Sequence, residues 1–306
     1  MPVRRIRTYH DVVDPAAEDI TAQVGAQHRR LEERLAAVGR IVVVASGKGG
    51  VGKSAVTANL AAALAHAGCR VGAADADLHG PSLARMLGAG GRPLRVSEVG
   101  IEPATGAAGV RVMSMDLLLA DEDAPLRWRE PQEGGFIWQS TLETGALREF
   151  LADVEWGELD FLLIDAAPGT DKIGRLLDLL PRLDVLLLVT TPSEITRTVV
   201  ARSVRLAREA GVRELGMVAN MTAFSCPGCG RSEPLFQAAG AGALAEAAGV
   251  PLWAEIPFEP GLAVETDRGR PWVLSDGDTP AMQAFGALVA RLIAGVPGEG
   301  RIGEGR

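Results

Sequence analysis

From residue 41 onward the chain alternates short, wholly apolar runs with longer stretches of helical character. Residues 41–45, 71–74, 110–115, 159–164, 185–190, 215–219 and 251–256 read as strands, and residues 54–67, 142–152, 196–210, 235–248 and 281–294 as helices. A strand that is apolar at every position, rather than at every second one, has both faces covered. The pattern predicts an α/β fold, a mainly parallel sheet of about seven strands with helices on both faces. Residues 88–109 and 120–139 carry neither period and read as irregular loops or hairpins.

Residues 1–39 stand apart as an N-terminal helical extension. Asp14-Pro15 has the form of an N-cap followed by proline at the first helical position. Ile20, Val24, Leu31, Leu35 and Val38 then recur on one helical stripe, with Glu32, Glu33 and Arg34 beside it. Such a stripe packs on the main body or receives a partner, and packing is the plainer reading. Residues 40–294 are expected to form one domain with loop insertions, and the Gly-rich end, 295–306, a flexible tail.

Composition narrows the function classes. The 306 residues carry a formal net charge of −8, which opposes non-specific attraction to DNA or anionic lipid. No run approaches the roughly 18 apolar residues of a membrane span, and the N-terminus leads into polar sequence rather than a signal peptide. Three cysteines (Cys69, Cys226 and Cys229) are too few and odd in number for a secreted disulfide framework, so a reducing cytoplasm is expected. Lysine occurs only at positions 48, 53 and 172, although lysine and arginine together number 31. Two of the three fall in one glycine loop, which marks positions that need an ammonium.

That loop, Gly47-Lys48-Gly49-Gly50-Val51-Gly52-Lys53-Ser54, lies between an apolar strand and an Ala/Leu-rich helix, the setting a phosphate-binding loop requires. Glycines let several backbone N–H groups converge on phosphate oxygens, and the helix N-terminus adds partial positive charge. Lys53 is expected over the β- and γ-phosphates of ATP, with the Ser54 hydroxyl on Mg²⁺. The run from Leu159 to Asp165 is an apolar strand ending in a carboxylate, and Asp165 is expected to hold a Mg²⁺-bound water. Asp75 and Asp77 end another strand at the carboxyl edge of the sheet, where ligands bind. Alternation places both on one side, one near metal and one near the attacking water, unless they merely cap the next helix.

The extra lysine near the start of the loop, Lys48, resembles the deviant phosphate loop of the MinD/ParA/nitrogenase iron protein class. Within that class the chain most resembles the Mrp/ApbC/Nbp iron–sulfur cluster carriers, over roughly residues 40–294. The likeness is carried by Asp75-Ala-Asp-Leu-His-Gly-Pro-Ser82, Trp128-Arg129, Gly145-Ala-Leu-Arg-Glu-Phe-Leu151, Val189-Thr-Thr-Pro-Ser193 and Asn220-Met-Thr-Ala-Phe-Ser-Cys-Pro-Gly-Cys-Gly230. The resemblance implies that Lys48 reaches the partner's nucleotide across a homodimer, that Asp77 is the hydrolytic switch and that Asn220 reads the adenine edge. Two departures stand out: Ala55 where the family usually has a second hydroxyl, and Ala166-Ala167-Pro168-Gly169-Thr170-Asp171-Lys172 after Asp165. Lys172 is expected near the nucleotide or the dimer face, the alternative being a solvated residue at a helix start.

Cys226-Pro227-Gly228-Cys229-Gly230 is a tight knuckle open to three readings: half of a metal site, a redox pair, or two idle thiols. A redox pair of that kind opens a helix early in a thioredoxin fold, whereas this pair follows a late strand. Clusters and structural zinc want four ligands, and a two-fold dimer supplies the missing pair from its second copy. His66 and His79 are read as structural. Together the residues and the resemblance point to an ATP-hydrolysing homodimer that carries a [4Fe–4S] cluster to apo client proteins, with scaffold proteins as further partners and neither nucleic acid nor membrane. The rival expectation is a MinD/ParA-like positioning ATPase that acts through partner binding. It calls for a basic or amphipathic surface, and the last helix offers only Arg291.

Overall fold

The computed structural model describes residues 20–92, 94–97, 100–118, 136–193, 196–226, 228–229, 231–236 and 240–295. At the centre of the sheet, β1 (Val38–Ala45) lies parallel to β7 (Leu159–Ala166) on one side and β8 (Val185–Thr190) on the other. Beyond β7 come β2 (Val71–Ala76), β6 (Arg111–Met113) and the short antiparallel β5 (Ala104–Thr105). Beyond β8 come β9 (Glu214–Ser225) and β11 (Leu252–Phe258), both parallel, with β10 (Ser232–Pro234) antiparallel to the end of β9. A separate hairpin joins β3 (Arg95–Val96) and β4 (Ile101–Glu102). Among the described residues the main sheet thus has nine strands, not seven. All seven expected strands are present, and the two additions are edge pieces too short to show a period.

Helices cover both faces, and β1 shows why. Val42 and Val44 pack under α2 (Lys53–His66), α3 (Leu83–Met86) and α9 (Pro280–Ala294). Ile41, Val43 and Ala45 face the other core, formed with α1 (Ile20–Leu35), α4 (Phe136–Asp153), α5 (Thr170–Leu179), α6 (Thr196–Glu209) and α7 (Gly240–Ala248). Successive side chains of a strand point to opposite faces, so a strand clad on both must be apolar throughout. The remaining helix, α8 (Pro260–Asp267), follows Glu259 at the end of β11.

On α9, Phe285, Leu288 and Leu292 are fully buried. At roughly 1.5–3 kcal/mol each, their burial rivals the whole stability of a domain, about 5–15 kcal/mol. This helix cannot leave the core to lie on another surface, and its Arg291 stacks over the Trp253 ring at 4.5 Å. At the other end, α1 rests on α4: Leu31 and Leu35 are buried, Gln27 Nε2 donates to Glu149 Oε1 (2.9 Å) and Arg30 pairs with Asp153 (3.1 Å).

Several boundaries differ from the sequence reading. Val38 belongs to β1 rather than the helical stripe, because the chain turns after Leu35. Residues 136–139 open α4 instead of closing a loop, and Leu235 lies exposed after β10, five residues before α7 begins at Gly240. Three helices, α3, α5 and α8, are additional. Asp14-Pro15, Trp128-Arg129 and residues 120–135 and 296–306 lie outside the described residues.

Candidate functional site

The glycine loop leaves β1 at Ala45 and enters α2 at Lys53. Gly52 sits at φ 80°, a left-handed conformation that strains any residue with a Cβ, and a Cβ there would lie 2.4 Å from Asn220 Nδ2. Gly47 is fixed by space instead, since its Cβ would meet Val199 of α6 at 1.8 Å. Lys48, Gly49 and Gly50 form the exposed crest, with the Lys48 carbonyl accepting from Ser46 Oγ at 3.0 Å, while Val51 is buried.

Below the crest, residues more than a hundred positions apart converge. Lys53 Nζ lies 2.6 Å from Asp165 Oδ2, and Ser54 Oγ donates to the same oxygen at 2.6 Å. Thr57 Oγ1, one turn along α2, lies 2.7 Å from the other oxygen, Asp165 Oδ1. Lys53, Thr57 and Asp165 are all buried. A hydroxyl and a carboxylate are hard oxygen donors, so Ser54 and Asp165 suit Mg²⁺ by type, and Lys53 suits phosphate. The first residues after Asp165 also touch the loop, the Gly169 N–H donating to the Ser46 carbonyl at 3.0 Å.

Strand pairing sets Asp75 beside Asp165, both nearly sealed from solvent. Burial pushes the Asp75 carboxyl up to about 7, with the Asp165 charge adding and the N–H groups of Leu83, Ser82 and Asp77 opposing. Asp75 Oδ2 accepts from Ser82 N (2.8 Å), Leu83 N (2.9 Å) and Ser114 Oγ (3.2 Å), and Oδ1 from Asp77 N (3.0 Å). Asp75 therefore ties both ends of the loop 77–82 and caps α3. Asp77, the first residue past β2, is half-buried, and its Oδ1 accepts from His79 N (3.3 Å) and Gly80 N (3.2 Å). The two aspartates do different work: one anchors the loop and the other rides on it.

Asn220 is buried on β9, and its Nδ2 donates to the Val51 carbonyl at 2.9 Å, bracing the glycine loop. The next residue, Met221, is left-handed (φ 56°), and its methyl lies 3.4 Å from where a Cβ on Gly52 would be. Lys172 lines a cleft at the carboxyl edge of β2 and β7, together with Leu78 and His79 of the aspartate loop and Arg175 of α5. Thr57 and Ser114 escaped the sequence reading. The signal for Thr57 was a second hydroxyl on an Ala-rich helix, three and four residues from Ser54 and Lys53 and so on their face.

The cysteine pair sits in the turn between β9 and β10, closed by Cys226 N donating to the Arg231 carbonyl at 2.9 Å. Cys226 is half-buried and Cys229 exposed; Pro227 and Gly230 lie outside the described residues. Hydrogen bonds from the Gly228 N–H, the Cys229 N–H and the Cys229 side chain hold the Cys226 thiol below its ordinary pKa, which favours the thiolate that binds metal. Cys69 is buried, and its thiol is pushed up by burial and by the Asp160 charge. Among the described residues no group of three or more His, Cys, Asp or Glu side chains is arranged to hold a metal ion, and no helix is long and apolar enough to cross a membrane.

Residues 37–293 match the family described as NUBPL iron-transfer P-loop NTPase. The iron-sulfur cluster carrier protein of Saccharolobus solfataricus is 36% identical over 275 residues, 90% of each chain. Among solved structures, the nucleotide-binding protein from Archaeoglobus fulgidus in complex with ADP aligns at TM-score 0.67 and 37% identity, over 79% of this chain and 91% of that one. The cell division ATPase MinD of Pyrococcus furiosus aligns at TM-score 0.57 and 27% identity, over 84% and 98%.

Proposed function

On the premise that the chain belongs to the NUBPL family of iron-transfer P-loop NTPases, we propose that it is an ATP-hydrolysing carrier whose cargo, a [4Fe–4S] cluster, is held between two copies and delivered to apo client proteins. The observation that carries the reading is the pairing, in one sheet, of a convergent Lys53–Ser54–Asp165 site with a solvent-facing knuckle of just two thiols. Two thiolates leave a cluster half-ligated, and a two-fold axis through the knuckle completes the set. The cell-division alternative is the weaker fit, because α9 is committed to the core and the MinD likeness is lower in both identity and TM-score. Residues 40–294 constitute the ATPase domain in this reading, with α1 as the packed part of the extension.

Lys53, paired with Asp165 in this structure, would turn to the β- and γ-phosphates of bound ATP, and a Mg²⁺ ion would supply positive charge against the charge that develops on the phosphates. Ser54 would hold that metal directly and Asp165 through a bound water, Asp77 would orient the attacking water, and Lys48, exposed on the crest, would reach the nucleotide of the partner. β9 links this chemistry to the cargo. It braces the loop through Asn220, turns through the strained Met221 and ends one residue before Cys226. From Asn220 to Cys226 is six residues, at most about 20 Å of chain, so a shift of the glycine loop is delivered to the knuckle along one strand.

Asp77→Ala is expected to bind ATP as the parent does while turning it over at least about a hundredfold more slowly, the usual scale for losing a positioned proton acceptor. Lys48→Ala is expected to lose turnover and ATP-linked dimerisation together. Steady-state phosphate release and light scattering with and without ATP read both outcomes. Parental turnover in both variants would assign the switch elsewhere. Anaerobic cluster reconstitution of the full chain, read as iron and sulfide per pair of chains, tests the carrier function as a whole.

A further inference from the structure

Three groups of α2 converge on the buried Asp165 carboxylate, and ligand binding requisitions only two of them. Lys53 and Ser54 share Oδ2, and both are needed by phosphate and metal. Among the described residues Thr57 is the side chain that holds Oδ1, at 2.7 Å, and it is fully buried. Its Oγ1 also lies 3.0 Å from the Lys53 carbonyl, but it has one hydrogen, and the carboxylate is the nearer and stronger acceptor. We propose that Thr57 is the positioning residue for Mg²⁺: its hydrogen bond keeps Asp165 oriented, with Oδ2 towards the metal, once Lys53 and Ser54 have turned to the nucleotide.

A buried carboxylate must keep its hydrogen bonds. Before ligand arrives, Asp165 is held by three side chains, and losing one leaves two. With Mg²⁺ and nucleotide in place, Thr57 is the one of the three still free to donate to it. Removing the hydroxyl should therefore be felt mainly in the metal-bound state. Nucleotide binding without metal, which uses the loop and Lys53, should be spared.

The test is calorimetric titration of the full chain with ADP, in EDTA and in Mg²⁺, so that no turnover is involved. For the parent, Mg²⁺ is expected to tighten ADP binding. Thr57→Val keeps the shape and removes the donor, and it should lose roughly tenfold of that gain, the scale of a hydrogen bond to a charged group, while matching the parent in EDTA. Thr57→Ser should restore the gain. A Thr57→Val protein that gains as much from Mg²⁺ as the parent, or that weakens equally in EDTA, would overturn the assignment. If the valine variant does not fold, Thr57→Ala against Thr57→Ser gives the same contrast, and equal Mg²⁺ gains in those two would overturn it. A parent that binds no ADP at all would instead remove the nucleotide site on which the inference rests.

Discussion

Lys53→Ala is expected to weaken ATP binding by at least an order of magnitude. Lys53 is the ammonium buried beneath the glycine loop, and it already stands 2.6 Å from the carboxylate that partners the metal. Each charge-assisted hydrogen bond it makes to phosphate is worth about 1.5–3 kcal/mol, or roughly a tenfold to hundredfold change in affinity. Part of that is offset in the parent, because binding must first separate Lys53 from Asp165. The substitution also leaves a buried carboxylate without its counter-charge, a loss of about 3–5 kcal/mol for a broken buried pair. Asp165 keeps its bonds from Ser54 and Thr57, so the protein should fold with a lowered melting temperature. Calorimetry at low temperature reads affinity, and a thermal melt reads stability. Unchanged ATP affinity would refute the role of the loop, whatever the melt shows.

Cys226→Ser and Cys229→Ser should each abolish cluster binding and leave ATP binding within about twofold of the parent. The knuckle is a turn at the edge of the sheet, joined to the nucleotide site along β9, and the phosphate-binding loop belongs to another segment. Serine keeps the shape and removes the soft thiolate that iron requires. The loss should be complete for either single change, because a two-fold arrangement removes two of four ligands at once. Absorbance of the reconstituted protein near the cluster bands and ADP calorimetry on the same samples separate the two effects. A variant that loses both would show that the cysteine turn supports the fold rather than the cargo.

What the sequence made legible was the chemistry whose residues adjoin one another or end an apolar strand. The loop from Gly47 to Ser54 and the carboxylate Asp165 could be paired without coordinates, because each carries a motif. Thr57 could not, since a threonine in an alanine-rich helix is ordinary until Asp165 is seen beside it. Asp75 carried two readings, metal neighbour and cap, and only the four donors around its carboxylate reveal the anchoring role. Asn220, expected by resemblance at the adenine edge, is seen bracing Val51, a contact 169 positions away in sequence. The α5 helix was hidden because Pro168-Gly169 reads as a turn, and its apolar stripe, Ile173, Leu176 and Leu179, spans barely two turns. β10 is three residues long, below the length at which alternation has meaning.

The most direct test of a cluster carried between two copies is anaerobic reconstitution of the full chain, followed by iron and acid-labile sulfide analysis and a mass for the coloured species. The expected result is about four iron and four sulfide per pair of chains, in a dimer that becomes monomeric when the cluster is removed in the absence of ATP. A protein that remains colourless and free of iron, or a Cys229→Ser variant that retains its iron, would contradict the account and leave a regulatory ATPase as the better description.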